Sequence, residues 1–392
     1  MAHARFPSAS SLHAAARRLG ALTTLTVAAL VSQACASAPD PSGGADTRTT
    51  GRSAVHAVAS LDPAALPATV GGVHFAGNTA TPSDVFGTPS GWAVELVYAA
   101  NDEPWRLDDI ARRIERGFQI ILRVDWSGGQ HLPPREKISA YADFIAAAEA
   151  RLGGGARFIL LGNEGNLDAG RPVHPGESYE RARETYLPHE RPTECKDYPQ
   201  TCEPTYYAEV YESVAKDLRA RLRAAYGRDY YFLVAGVSPD GYEEHPARWM
   251  NGPAWLESVL RRLEMRHVRV DGVAAHAYGN EGGAATAARA VEDFWGQLER
   301  QRAAVARVLP SVPIFVTETN QGHDASVEFV RGVYDRVDAH NRASAQDIVS
   351  LCWFVWDKES WKEMSLELAS QDVKDAFKAG AQATPAGRRG AP

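Results

Sequence analysis

The chain has 392 residues, 44% of them hydrophobic and 23% charged, so it can bury a large core, and its length suits one large domain with tails. A formal net charge of -7 offers no basic stripe for nucleic acid and disfavours anionic substrates and membrane surfaces. A neutral substrate suits the balance better.

The N-terminus carries Arg5, Arg17 and Arg18, then an apolar stretch from Leu19 to Val31, then small residues from Ser32 to Ala38. That is the layout of a secretory signal, expected over 1–35, and its apolar part is shorter than the roughly 20 residues that span a bilayer. The mature protein is therefore expected outside the cytoplasm: secreted, periplasmic or anchored to the envelope. Cys35, after Ser32-Gln33-Ala34, leaves two outcomes open. It can be the lipid-bearing first residue of a lipoprotein, which would be the sole tie to a membrane, or cleavage can follow Ala36 or Ala38.

Residues 36–67 are rich in Ala, Ser, Thr, Pro, Gly and Asp without apolar periodicity and read as a flexible linker. Eight strand-like runs follow: Gly72 to Ala76, Ala93 to Tyr98, Gln119 to Trp126, Arg157 to Glu164, Tyr231 to Val237, Gly272 to Tyr278, Pro313 to Glu318 and Ile348 to Trp356. The fourth and seventh are rich in Ile, Leu, Val and Phe without polar alternation, as parallel strands buried on both faces are. Helical patterns fill the gaps at Leu107 to Arg116, Arg135 to Leu152, Tyr206 to Ala225, Ala254 to Met265, Ala284 to Val308, Ser326 to His340 and Ser370 to Ala379. Only a turn or two of helix fits after the first strand, around Ser83 to Phe86. This alternation predicts an α/β fold, a (β/α)8 TIM barrel over 68–379, with a disordered tail at 380–392. The alternative, a doubly wound open sheet, lacks its Gly-rich turn: Gly77-Asn78-Thr79-Ala80 follows the first strand.

Between the fourth strand and its helix, 165–205 is long for such a connection and is expected to wall one side of a cleft. Within it, export favours a disulfide between Cys195 and Cys202 over a zinc site, for which His189 would be the only nearby partner. Cys352 reads as a buried thiol.

Glu164 ends the fourth strand as Asn163-Glu164, and Glu318 ends the seventh as Thr317-Glu318, where a barrel presents its chemistry. Two such carboxyls suit glycosidic hydrolysis with retention, one giving a proton and one attacking the sugar. At these residues the chain resembles the clan A superfamily of glycoside hydrolases. His276-Ala277-Tyr278 on the sixth strand is similar to its His-x-Tyr, and Trp356 on the eighth to its subsite aromatic. The resemblance implies Glu164 as acid/base and Glu318 as nucleophile. It further implies that Asn163 binds the sugar 2-hydroxyl, Tyr278 holds Glu318 ionised, His276 lines the pocket and Arg123 lies beside the nucleophile. It also implies an equatorial linkage in an oligosaccharide or polysaccharide substrate.

Apolar surroundings and a charged neighbour are expected to raise Glu164 toward about 6 to 7, while Tyr278 and Arg123 favour a charged Glu318. Trp126, with Trp92, Trp105, Tyr242, Trp249 and Trp361, could stack on sugar faces or anchor loops. Asp125, Asp240, Glu243, Glu244, Asn320 and Asp357 are candidate hydroxyl ligands. A Glu after a strand can also simply cap a helix, and His276 and Trp356 can be core residues. No cofactor is expected, no metal constellation appears, with Val73-His74-Phe75 lacking a His-x-His pair, and the chain is expected to act as a monomer. The runner-up readings are a carbohydrate-binding barrel without turnover and an envelope interaction protein.

Overall fold

Eight parallel strands close into one barrel in chain order: β1 Gly71–His74, β2 Gly91–Tyr98, β3 Phe118–Asp125, β4 Phe158–Leu161, β5 Tyr231–Val234, β6 Gly272–His276, β7 Ile314–Thr319 and β8 Ile348–Trp353. Each is followed by a helix: α1 Pro82–Phe86, α2 Pro104–Glu115, α3 Ile138–Arg151, α4 Pro204–Tyr226, α5 Gly252–Met265, α6 Ala287–Ala306, α7 Val327–Ala343 and α8 Gln371–Ala383. The expected (β/α)8 barrel is therefore what this chain forms. The computed structural model describes residues 61–77, 79–101, 103–127, 131–166, 204–239, 252–279, 286–321, 325–356 and 362–386. The expected signal, Cys35, the Cys195–Cys202 pair, most of the 165–205 connection, Tyr242, Trp249, Trp361, Asp240, Glu243, Glu244 and Asp357 lie outside them.

Aromatic packing fills the barrel's lower half. Trp92 meets Phe158 at 4.9 Å and Phe315 at 5.7 Å between ring centroids, and its indole N–H donates to the Val349 carbonyl at 2.8 Å. Gly72 makes room for this: a Cβ there would fall 2.7 Å from Trp92 Cβ and 2.4 Å from Cys352 Sγ. Trp92 thus corrects the reading of it as a ring for sugar stacking. It starts β2 rather than ending it, and is fully buried at the floor.

Helices are fastened to strands through tyrosine hydroxyls. On α4, Tyr207 donates to the Leu161 carbonyl on β4 at 2.8 Å and accepts from the Ala235 N–H beyond β5 at 2.6 Å. Tyr211, one turn on, donates to the Phe232 carbonyl at 2.7 Å. Both rings face the core with Val210, Val214 and Leu218, which form one apolar stripe.

Packed elements are found on both sides of 68–379. Asp62 caps a short 3₁₀ turn at Pro63–Ala65, its N–H donates to the Tyr231 hydroxyl at 3.0 Å, and Ala65 is buried. A single small side chain carries no periodicity, so a linker reading ran to 67. At the other end α8 continues to Ala383, past the expected start of the tail. Gly380 is there for close approach, since a Cβ would fall 2.2 Å from the Tyr334 ring.

Candidate functional site

The strand ends determine which side chains meet above the aromatic floor. Glu164 follows β4 through Gly162, at φ +73°, and itself has φ +33°. A residue with a Cβ is strained in that left-handed region by roughly 1 to 3 kcal/mol and stays there only when its surroundings hold it. Here the Glu164 N–H donates to the Gly236 carbonyl at 2.9 Å. Glu318 lies within β7, and its carbonyl accepts from the Ala277 N–H at 3.1 Å. A register shift between Ala275 and His276 brings His276 level with Glu318.

Three groups converge from β4, β6 and β7. His276 Nδ1 lies 2.8 Å from Glu164 Oε1 and 3.6 Å from Glu318 Oε2. One oxygen of Glu164, one of Glu318 and a His276 nitrogen all lie within 4.8 Å of one another. The Tyr278 hydroxyl donates to Glu318 Oε2, and Arg123 Nη1 donates to Glu318 Oε1 at 3.3 Å. Arg123 is held in turn by Asp125, through Nε at 3.2 Å and Nη2 at 2.7 Å. Of the predicted site residues, the fold therefore brings Glu164, Glu318, His276, Tyr278 and Arg123 into one bonded cluster.

Asn163 is buried beside it. Its Oδ1 has no partner among the described residues, and its carbonyl accepts from His131 Nδ1. Trp356 lies just past β8, half-buried, with its N–H on the His74 carbonyl at 2.9 Å. Trp126 falls outside the cluster: its ring tilts against Tyr141 on α3, at 6.4 Å between centroids.

The electrostatics differ from expectation at Glu164. Burial pushes its carboxyl up, but the His276 hydrogen bond and the charges of His276, His131 and Arg123 outweigh burial and hold it below the ordinary value. His276 moves the other way. Burial opposes its charge, yet Glu318 and Glu164 together hold its pKa above the usual 6.5. The substrate-free pair thus keeps its shared proton on the imidazole. His74 is different: desolvation dominates over Glu318, 3.9 Å away, and lowers it to about 4, so it is neutral. Arg123 is held charged, its desolvation outweighed by Asp125, Glu318 and Glu164.

Glu164, His276 and Glu318 also form a donor set that a divalent cation could occupy. No spacing in the sequence reveals it, because the donors come from three distant strands. Tyr278 and Arg123 already engage Glu318, so a cation there would compete with bonds in place.

Sequence reasoning missed several supports. Gln301 on α6 donates to the His276 carbonyl at 2.6 Å, and Gln297 Oε1 accepts from the Tyr278 N–H at 2.7 Å, so one helix face holds the β6 end. Two polar residues one turn apart in the buried stripe of α6 were the available signal. His131, from the β3–α3 connection, has no such signal.

No protein-family model matches the chain, and no curated protein does. Solved structures do. A family 128 (subgroup I) endo-β-1,3-glucanase from Amycolatopsis mediterranei, in complex with laminaritriose, is 15% identical over 79% of this chain and 98% of that one, with a TM-score of 0.43. A family 39 glycoside hydrolase from Bacteroides cellulosilyticus is 13% identical over 83% of this chain and 65% of that one, with a TM-score of 0.49. A monomeric β-xylosidase from Caulobacter crescentus is 15% identical over 76% and 62%, with a TM-score of 0.44. At such identities and TM-scores the likeness does not extend to function, which has to be argued from the residues themselves.

Proposed function

We propose that the protein is an exported glycoside hydrolase that cleaves an equatorial bond in an oligo- or polysaccharide with retention, Glu164 serving as acid/base and Glu318 as nucleophile. The carrying observation is that oxygens of the two carboxylates lie within 4.8 Å. Retaining enzymes hold their carboxyls about 5 to 5.5 Å apart, whereas inverting ones leave about 6.5 to 9.5 Å for a water.

In the first step Glu318, oriented by Arg123 and Tyr278, attacks the anomeric carbon while the glycosidic oxygen takes a proton from Glu164, leaving a glycosyl ester on Glu318. In the second, Glu164 takes a proton from water, which displaces Glu318. The ion pair with His276 supports a relay: the imidazolium proton moves to Glu164 as the leaving oxygen draws on it. Asn163 Oδ1, buried and without a partner among the described residues, suits a sugar hydroxyl.

One observation favours the binding-only alternative: Glu164 is held ionised, the wrong state for an acid unless the relay operates. Reducing-sugar release from plant, fungal and bacterial-envelope glycans, run beside Glu164→Ala and Glu318→Gln, separates the two. The expected result is turnover in wild type, losses of about 10³-fold or more in both variants, and a first product of unchanged anomeric configuration. Glycan binding with no turnover in any of the three would establish the alternative.

A further inference from the structure

Beyond the carboxylate cluster, one aromatic on the same barrel face is left largely exposed. Trp105, in the first turn of α2, is 55% exposed, among only three large hydrophobic side chains so exposed among the described residues. The Arg106 guanidinium lies 4.7 Å from the Trp105 ring centre and 5.4 Å from that of Tyr98, giving a Trp–Arg–Tyr stack. Glu103 pairs with Arg106, so the stack is fixed and locally neutral.

The stack leads toward the reaction centre. Tyr98 ends β2 directly opposite Asp125 on β3, and Asp125 grips Arg123, which reaches Glu318. The connection after β2 is knitted to the next one: Ala99 N–H donates to the Asp125 carbonyl at 2.9 Å, and Ala100 N–H to the Trp126 carbonyl at 2.7 Å. The helix behind Trp105 is anchored too, because Arg113 on α2 pairs with buried Glu95 and donates to the Gly77 carbonyl at 3.0 Å. With Arg106 over its ring the indole still leaves more than half of its surface in water, so one held at the end of a line of side chains from the nucleophile calls for an occupant.

We infer that Trp105, backed by Arg106 and Tyr98, is a distal sugar-binding platform that takes the apolar face of a neutral pyranose ring several units along a bound glycan chain. This rests on the glycosidase reading and narrows it to enzymes that grip chains rather than single terminal sugars. An indole presents a flat apolar area matching the C–H face of a sugar, and its neutral surroundings admit an uncharged ring.

The test is kcat/KM along laminari-, cello-, manno- and xylo-oligosaccharides from the disaccharide to the heptasaccharide, for wild type, Trp105→Ala, Trp105→Tyr and the control Met265→Ala. The expected result is a rise with chain length in wild type and Met265→Ala that falls by about tenfold in Trp105→Ala and is largely kept in Trp105→Tyr. The same length dependence in wild type and Trp105→Ala would overturn the platform while leaving the hydrolase standing. Should wild type turn over none of these, the release assay on the wider glycans decides the hydrolase reading separately. Affinity electrophoresis of the four proteins in soluble β-glucan, galactomannan and arabinoxylan then decides: retardation lost only in Trp105→Ala supports the platform, and equal migration of all four refutes it.

Discussion

In the proposed relay His276 is the residue on which the chemistry turns, because it would hold the proton that Glu164 delivers. Its pKa lies above the usual 6.5 and that of Glu164 below the usual 4.5, so the shared proton is retained past the ordinary imidazole range and lost as pH rises beyond it. The alkaline limb of kcat/KM is therefore expected above about pH 6.5, and in His276→Gln it should move acidward, since Glu164 must then hold its proton unaided. A limb at the same pH in both proteins would remove His276 from the proton path. At this scale the sequence was partly legible. Asn163-Glu164, Glu318 and His276-Ala277-Tyr278 were readable because each ends a strand run. The sense of the Glu164 shift was not, because it depends on an imidazole from another strand.

At the scale of elements, the β5 end controls the β6 side chain. A Cβ on Gly236 would fall 2.6 Å from the His276 ring, so Gly236→Ala must push that ring off Glu164. The expected outcome is a loss of about tenfold or more in kcat with the fold kept, checked by steady-state kinetics beside circular dichroism. Strand and helix periods were readable because parallel strands buried on both faces are uniformly apolar and helices such as α4 carry a clear stripe. What was not readable is where a strand stops. β6 ends at His276 and β8 at Trp353, so Tyr278 and Trp356 belong to the connections beyond. Trp92 was misplaced for a related reason: an aromatic beside a strand boundary reads alike at either end of the barrel.

For the whole molecule, stability rests on the plugged floor, and its pH dependence on a buried carboxyl. Trp92→Ala removes the ring that Phe158 and Phe315 pack against and should cost about 3 to 5 kcal/mol in chemical denaturation; a cost near zero would mean the floor collapses onto the gap. Glu149 on α3 gives the pH response of the fold. Burial, opposed only in part by Tyr230, pushes its carboxyl up to about 8 from the usual 4.5, so the folded chain binds more protons than the unfolded one between those values. Stability conferred by the neutral form is present below about pH 4.5 and is lost as pH rises through about 8. Glu149→Gln should flatten that fall in Tm, and equal slopes in the two proteins would contradict it.

The aromatic floor also dictates traffic. With Trp92, Phe158 and Phe315 filling the lower barrel, nothing passes through from below. In the proposed retaining reaction, the water that frees the sugar from Glu318 would enter by the mouth through which the departing half of the substrate has just left. Departure thus gates hydrolysis, and any alcohol lingering at that mouth stands first in line to be the acceptor.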